Sequence, residues 1–389
     1  MTLELSPADL SRPLDHAAQR AVDRAMSDLR RGEPVVLSGA DGRAVLALAA
    51  EAVTAPTLAA LAQLAGTQPQ LAVTGRRART LGFELEPTAT VLMTVPGGLT
   101  ADLARDLADP SRRDPVPPAD GRPPRERARR AVATATDATG AEAGAVLLAK
   151  LARLLPAAVL APLPGVRDAG AFARRHDLLA VDAASVEDYR RQSARTLYRV
   201  VEATVPLEDA ERTRIVAFRP SDGGAEHMAI VIGDPPPGQP VLARIHSECF
   251  TGDLLGSLRC DCGPQLRGAI AEIAKAGSGV LLYLAQEGRG IGLVNKLRAY
   301  RLQDGGLDTL DANEALGFEQ DERVYLPAAA MLRALGHGAV RLMTNNPDKL
   351  AQLAACGITV VERVPHIFPS NGHNEAYIRA KTERGGHLF

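Results

Sequence analysis

Three thiols stand within fourteen residues in HSECFTGDLLGSLRCDCG: Cys249, Cys260 and Cys262. Two of them form a Cys-x-Cys turn followed by Gly263, a spacing that lets all three converge on one tetrahedral ion. Three protein ligands leave a fourth position for water, which is the arrangement of a catalytic rather than a structural zinc site. Water on zinc has its pKa drawn down towards neutrality and supplies hydroxide at physiological pH. The competing reading makes the thiols small apolar core residues. The company of His246, Glu248, Asp253 and Asp261 weighs against it. Cys356, alone in LAACGITV, reads as packing.

Other polar motifs are weaker taken singly. QEGRGIG, Gln286 to Gly292, stands between strand-like GVLLYLA and helix-like LVNKLRAY. A glycine-rich turn of that kind points backbone amides and a helix N-terminus at an anion, although it matches neither a Walker A loop nor GxGxxG. TNNPDK, Thr344 to Lys349, follows VRLM and offers hydroxyl, amide and ammonium to a base edge or a phosphate. A solvated turn explains it equally well. Asp321, Glu322 and Arg323, taken alone, read as a surface ion pair more readily than as a catalytic couple. His366, His373 and His387 lie in a polar tail for which loose C-terminal structure is the cheapest explanation.

The elements that must hold these residues follow from periodicity. AAQRAVDRAMSDLRRG is helical and stops at Gly32, PVVLSG is a buried strand, and TAPTLAALAQLAG and AEAGAVLLAKLARLL are helices. AAVLAPL as strand and GAFARRHDL as helix complete an α/β alternation. Arg105 to Arg130, dense in Pro, Arg and Asp, is expected to be a solvated loop. Beyond residue 200 the texture turns β-rich through LYRVVEATVPL and RTRIVAFRP, and HMAIVIGD is expected to pair with VLARIHSE as a hairpin across PPPGQP. Helix and strand then alternate through GVLLYLA, VRLMTN and ITVVERV. A boundary near Ser193 to Tyr198 separates 1–196 from 197–389, giving a two-domain mixed α/β (α+β) chain.

At roughly 150 residues per domain, 389 residues suit two domains. Lys and Arg total 45 against 46 Asp and Glu, a net charge of −1 that draws the chain to neither nucleic acid nor an anionic membrane. No apolar run approaches the ~18 residues of a spanning helix, and the start lacks a signal-peptide pattern, so a soluble cytoplasmic protein is expected. Four cysteines in so long a chain are no disulfide framework.

Taken together, RIHSECFTGDLLGSLRCDCGPQL, YLAQEGRGIGLVNKLRAYRLQDGGLDTLDANEALGF, DERVY and RLMTNNPDKL resemble GTP cyclohydrolase II in order and spacing, from about Leu197 to Phe389. The resemblance implies an enzyme that opens the imidazole ring of GTP, releases formate and pyrophosphate, and makes the first committed intermediate towards riboflavin. By that resemblance Cys249, Cys260 and Cys262 are zinc ligands. Arg244, Ile245, His246, Ser247, Glu248, Gln265, Glu287, Gly288, Arg289, Thr309, Thr344 and Lys349 bind GTP, and Tyr300 stands near the reacting ring. Asp321 matches the proton acceptor and Arg323 the nucleophile on the α-phosphorus. A guanidinium with pKa above ~12 stays protonated, so Arg323 either loses its proton within the site or stabilises phosphoryl charge electrostatically. Mg²⁺ on the triphosphate and a homodimer complete the expectation. Leu307, beside Thr309, replaces an aromatic common in the family.

The first half looks like 3,4-dihydroxy-2-butanone 4-phosphate synthase, but where that family has an acidic cluster this chain has GADGRAV, keeping Asp41 and Arg43. Where the family has a metal-binding His after Thr-Gly, this chain has Thr139, Gly140 and Ala141. A hard cation needs several oxygen or His ligands, so this half is expected to fold without synthase activity. A chain starting near Leu197 is then expected to keep the cyclohydrolase chemistry. The alternatives are a diverged cyclohydrolase acting on another nucleotide or stopping at the formylamino intermediate, and a non-catalytic nucleotide-binding regulator.

Overall fold

The computed structural model describes residues 15–112, 126, 128, 130–368 and 372. His373 and His387 lie outside them. The chain forms two compact units. The first is Asp15–Arg190 together with Val294–Glu322, and the second is Arg191–Leu293 with the chain from Arg323 onward.

The first unit opens with α1 (His16–Arg31), whose N-terminal amides are capped by Asp15 and whose end is turned by Gly32 at φ 79°. Its buried Val22, Ala25, Met26 and Leu29 recur at helical spacing. In the first half of the chain follow β1 (Val35–Ser38), β2 (Ala44–Ala49), α2 (Ala55–Ala65), β3 (Gln70–Thr74), α3 (Gly75–Thr80), β4 (Thr90–Thr94), α4 (Ala101–Ala108), β5 (Val132–Ala135), α5 (Ala141–Leu151), β6 (Ala157–Pro162), α6 (Ala169–Arg175) and β7 (Leu179–Asp182). The strands make one sheet in the order β5-β4-β3-β6-β2-β1-β7, antiparallel except for β1 beside β7. The expected loop from Arg105 is corrected at its start, because α4 runs through that residue. Thr100 caps the helix and Leu103, Ala104 and Leu107 are buried. The proline-rich part of that segment, 113–125, lies outside the described residues.

After α7 (Ala183–Arg195), the second unit builds a sheet from β8 (Tyr198–Thr204), β9 (Thr213–Arg219), β10 (His227–Ile232), β11 (Val241–Ser247), β12 (Gly279–Leu284), β13 (Ala339–Met343) and β14 (Thr359–Val364). Its helices are α8 (Cys262–Lys275), α11 (Leu326–Ala334) and α12 (Pro347–Ala355), while α9 (Leu293–Asp304) and α10 (Thr309–Ala315) contribute almost entirely to the first unit. The strand order is β14-β13-β11-β12-β10-β9-β8. The expected hairpin of β10 with β11 does not form. β12 inserts between them, antiparallel to β10 and parallel to β11, because α8 carries the chain back to start β12 beside β11.

β13, β11 and β12 are therefore adjacent and mutually parallel, and the loops leaving their C-terminal ends open on one edge of the sheet, where ligands of such sheets bind. Cys356 is buried in the core with Phe218, Ile245, Leu282 and Met331. Among the described residues no helix is long and apolar enough to cross a membrane.

Candidate active site

Cys249 follows the end of β11 and begins one turn of π-helix, Phe250–Leu254, while Cys260 and Cys262 sit at the start of α8. The three sulfurs lie within 4.8 Å of one another, and Cys249 Sγ is 3.7 Å from Cys260 Sγ. Two sulfurs at ~2.3 Å from a tetrahedral zinc stand about 3.8 Å apart, so this pair has the spacing the ion demands.

The cradle is closed by glycine. A Cβ on Gly252 would come 2.7 Å from Cys260 Sγ and 3.0 Å from Cys249 Sγ, and one on Gly263 would meet the Gly252 carbonyl at 2.4 Å. The Gly252 amide donates to Cys249 Sγ at 3.3 Å. Sharing of hydrogen bonds with Cys249 raises the Cys260 thiol to about 11, and the two neighbouring sulfurs, then burial, push Cys262 well up. Three crowded thiols cannot all ionise without a cation among them.

Asp253 orders this corner. Its carboxylate accepts the Cys249 amide at 2.9 Å, the Tyr283 hydroxyl at 3.0 Å and His246 Nε2 at 3.0 Å. Burial lowers the pKa of His246, so the neutral ring donates through Nε2, and it stacks on Tyr283 with centroids 5.7 Å apart.

Arg244, on β11, is buried. Its Nη1 donates to the Met343 carbonyl at 2.9 Å and its Nη2 to Gln265 Oε1 at 2.5 Å. Burial lowers its pKa to about 10, with the nearby Arg323 charge a smaller contributor, so it stays cationic at neutral pH. Arg244 Nε and Ser247 Oγ are buried with no hydrogen-bond partner among the described residues. Such orphaned atoms beside a strand end ask for a ligand or water. Ile245 is a core residue whose carbonyl accepts Lys349 Nζ at 3.2 Å. The Glu248 amide donates to the Leu284 carbonyl, tying the loop after β11 to β12.

After β12, Glu287 accepts the Phe250 amide at 2.6 Å and its own neighbour Gly288 at 2.8 Å. Gly288 and Arg289 both adopt left-handed backbone, φ 63° and 62°. A long side chain there is strained by about 1–3 kcal/mol, a cost found where a site fixes the backbone. After β13, Thr344, Asn345, Asn346 and Lys349 are buried, which corrects the solvated-turn alternative. His366 is equally buried. Its amide donates to Asn345 Oδ1 at 2.9 Å and its ring meets the Gln265 carbonyl at 2.9 Å, which corrects the loose tail at this residue.

Tyr300, Thr309 and Asp321 belong to the first unit. Lys296 Nζ lies 5.7 Å over the Tyr300 ring, Gln303 reaches Thr309 Oγ1 at 3.4 Å, and Asp321 is half-buried. Arg323 begins the return to the second unit, where the Gln286 side chain grips the backbone of Val324 with Nε2 to the carbonyl at 2.8 Å and the amide to Oε1 at 3.3 Å. Sequence reasoning gave Gln286 no role of its own and named Asp253 only as company for the thiols. Tyr283 reads from sequence as one more strand residue.

In the first unit the β1–β2 turn lies against Thr139, with the Ala40 amide on its carbonyl at 3.2 Å. Asp41 is engaged by the Arg43 amide and guanidinium, which hold its carboxyl below the usual range. Among the described residues, Cys249, Cys260 and Cys262 are the one group of His, Cys, Asp or Glu placed to hold a metal ion.

Residues 198–365 match the family model described as GTP cyclohydrolase II. A GTP cyclohydrolase-2 of Azospirillum brasilense is 60% identical over 385 residues, 99% of this chain and 98% of that one. The chain belongs to the GTP cyclohydrolase II family. A second GTP cyclohydrolase-2, from Xylella fastidiosa strain Temecula1, is 39% identical over 377 residues, 96% of this chain and 89% of its own. Both relatives thus match this cyclohydrolase through its first half as well as its second. Among solved structures, RibBX, a two-domain 3,4-dihydroxy-2-butanone 4-phosphate synthase from A. baumannii, covers 88% of this chain and 99% of its own at 20% identity and a TM-score of 0.32.

Proposed function

We propose that this GTP cyclohydrolase II opens the imidazole ring of GTP and releases formate and pyrophosphate, the first step of riboflavin biosynthesis. The observation that carries the reading is the thiol cradle at the edge of three parallel strands, with sulfurs 3.7 Å apart and no room for a Cβ at Gly252. Zn²⁺ held by Cys249, Cys260 and Cys262 would supply Lewis-acid activation of water at neutral pH.

The chain's own residues do the rest. Arg244, Lys349 and Arg323 balance triphosphate charge, with Mg²⁺ as the further counter-charge. Thr344, Gln265, Glu287 and the left-handed turn at Gly288 and Arg289 offer a fixed set of donors and acceptors to the nucleotide. Ile245, His246, Ser247 and Glu248 line its approach from β11, and Thr309 adds a hydroxyl. Tyr300 orients the reacting ring and Asp321 takes up a proton. Arg323 acts at the α-phosphorus; protonated, as a guanidinium ordinarily is, it stabilises the phosphoryl charge.

Residues 197–389 form the cyclohydrolase domain and 1–196 a synthase-like domain without synthase activity, its Asp41 engaged by Arg43. A cytoplasmic homodimer belongs to the same proposal. Cys260→Ser tests the centre: it is expected to lose bound zinc and formate release together, and full zinc with normal formate release would remove the site.

A further inference from the structure

The 29 residues Val294–Glu322 lie inside the family match, yet they are built into the first unit. Their anchors are charged and largely buried. Arg298, on α9, sets Nη1 and Nη2 each 3.2 Å from the two Glu51 oxygens and Nε 3.1 Å from Asp109. Glu51 is itself fixed by the Leu155 amide at 2.6 Å. Arg77, buried on α3, donates to the Leu107 carbonyl at 2.7 Å and to the Ala315 carbonyl at the end of α10 at 3.1 Å. Lys150, on α5, lies 2.6 Å from Glu322, next in sequence to Asp321.

Two of these anchors stand close in sequence to residues the cyclohydrolase reading uses. Arg298 precedes Tyr300 by two positions on one helix, and Glu322 adjoins Asp321 on one side and Arg323 on the other. A fork held by two carboxylates fixes orientation as well as position.

We propose that Glu51, Asp109 and Lys150 are positioning residues for GTP ring opening, and that the first half of the chain serves as the bed on which Tyr300 and Asp321 are held. The inference rests on the roles given above to those two residues. It gives the first half a part in catalysis without chemistry of its own.

The test uses the full chain with zinc bound, comparing Glu51→Gln, Arg298→Lys, Tyr300→Phe and the double variant Glu51→Gln/Tyr300→Phe. Asp28→Asn, at the exposed pair with Arg31, serves as control. Zinc content and kcat and KM for GTP are measured for each. Misplacing a reacting group by a fraction of an ångström costs about tenfold or more in turnover. Glu51→Gln is expected to lose that in kcat per zinc-loaded site, with Asp28→Asn unchanged. Because Glu51 acts through Tyr300, the double variant should lose little more than Tyr300→Phe alone. Arg298→Lys keeps the charge but not the fork, and it reads the same grip should Glu51→Gln fail to fold. Normal kcat and KM in Glu51→Gln or Arg298→Lys beside an impaired Tyr300→Phe would overturn the positioning role. Normal turnover in Tyr300→Phe would instead overturn the reading of Tyr300, and this inference with it.

Discussion

Gly252 decides the centre as much as the cysteines do, since its missing side chain is the space in which two sulfurs face each other. Gly252→Ala is expected to weaken zinc binding about tenfold or more while the fold persists, a loss of the size seen when supporting contacts of a metal site are disturbed; competition with a chelator measures it. Arg323→Lys keeps a positive charge but loses the planar fork. It should retain zinc and release formate while pyrophosphate production falls by at least about tenfold, and unchanged pyrophosphate in the released products would count against Arg323. The thiols were legible because their spacing is itself the signal. Asp253 was not, because a carboxylate four residues from a cysteine announces nothing until the π turn folds it beneath the Cys249 amide, the His246 ring and the Tyr283 hydroxyl.

The three motif-bearing loops meet because β13, β11 and β12 are neighbours and parallel. Local patterning found each of these strands. It could not find their order, since β12 enters between β10 and β11 from 32 residues beyond the end of β11, and pairing across such a distance leaves no periodic trace. A solvated turn remained an equal alternative for TNNPDK, and loose structure the cheapest explanation for His366, for a related reason. Asn345 and His366 satisfy each other inside the protein, and Thr344 Oγ1 accepts the Asn346 amide, so polarity there marks a buried network rather than exposure. Burial first, and the Arg244 charge second, hold His366 down to about 4. The unfolded chain, titrating near 6.5, therefore binds the extra proton first as pH falls. Stability is expected to drop between pH 6.5 and about 4, by an amount of order 3 kcal/mol from this residue. His366→Gln should flatten that part of the curve in denaturant titrations run across the same pH range.

Two units defined by contact are not the two halves defined by sequence. The change of texture near residue 197 is real, and helix and strand assignments on both sides of it recur in the fold. However, Val294–Glu322 carries no compositional mark of its attachment to Glu51, Arg77 and Lys150, whose partners lie more than 150 residues away. The expectation that a chain starting near Leu197 keeps its chemistry is accordingly revised. Such a chain strips Arg298 and Glu322 of their carboxylate and ammonium partners and leaves Val294–Glu322 without the unit it is built into, and GTP turnover per bound zinc is expected to fall below one-tenth of the full chain's. The full-length match to GTP cyclohydrolase-2 of Azospirillum brasilense fits a first half kept for that service. The most direct measurement gives the zinc-loaded full chain GTP and Mg²⁺, with ribulose 5-phosphate in a parallel reaction, and follows formate, pyrophosphate and the pyrimidine product. Formate and pyrophosphate in equal amounts from GTP, with ribulose 5-phosphate untouched, is the predicted result. Bound zinc with no formate from GTP would contradict it.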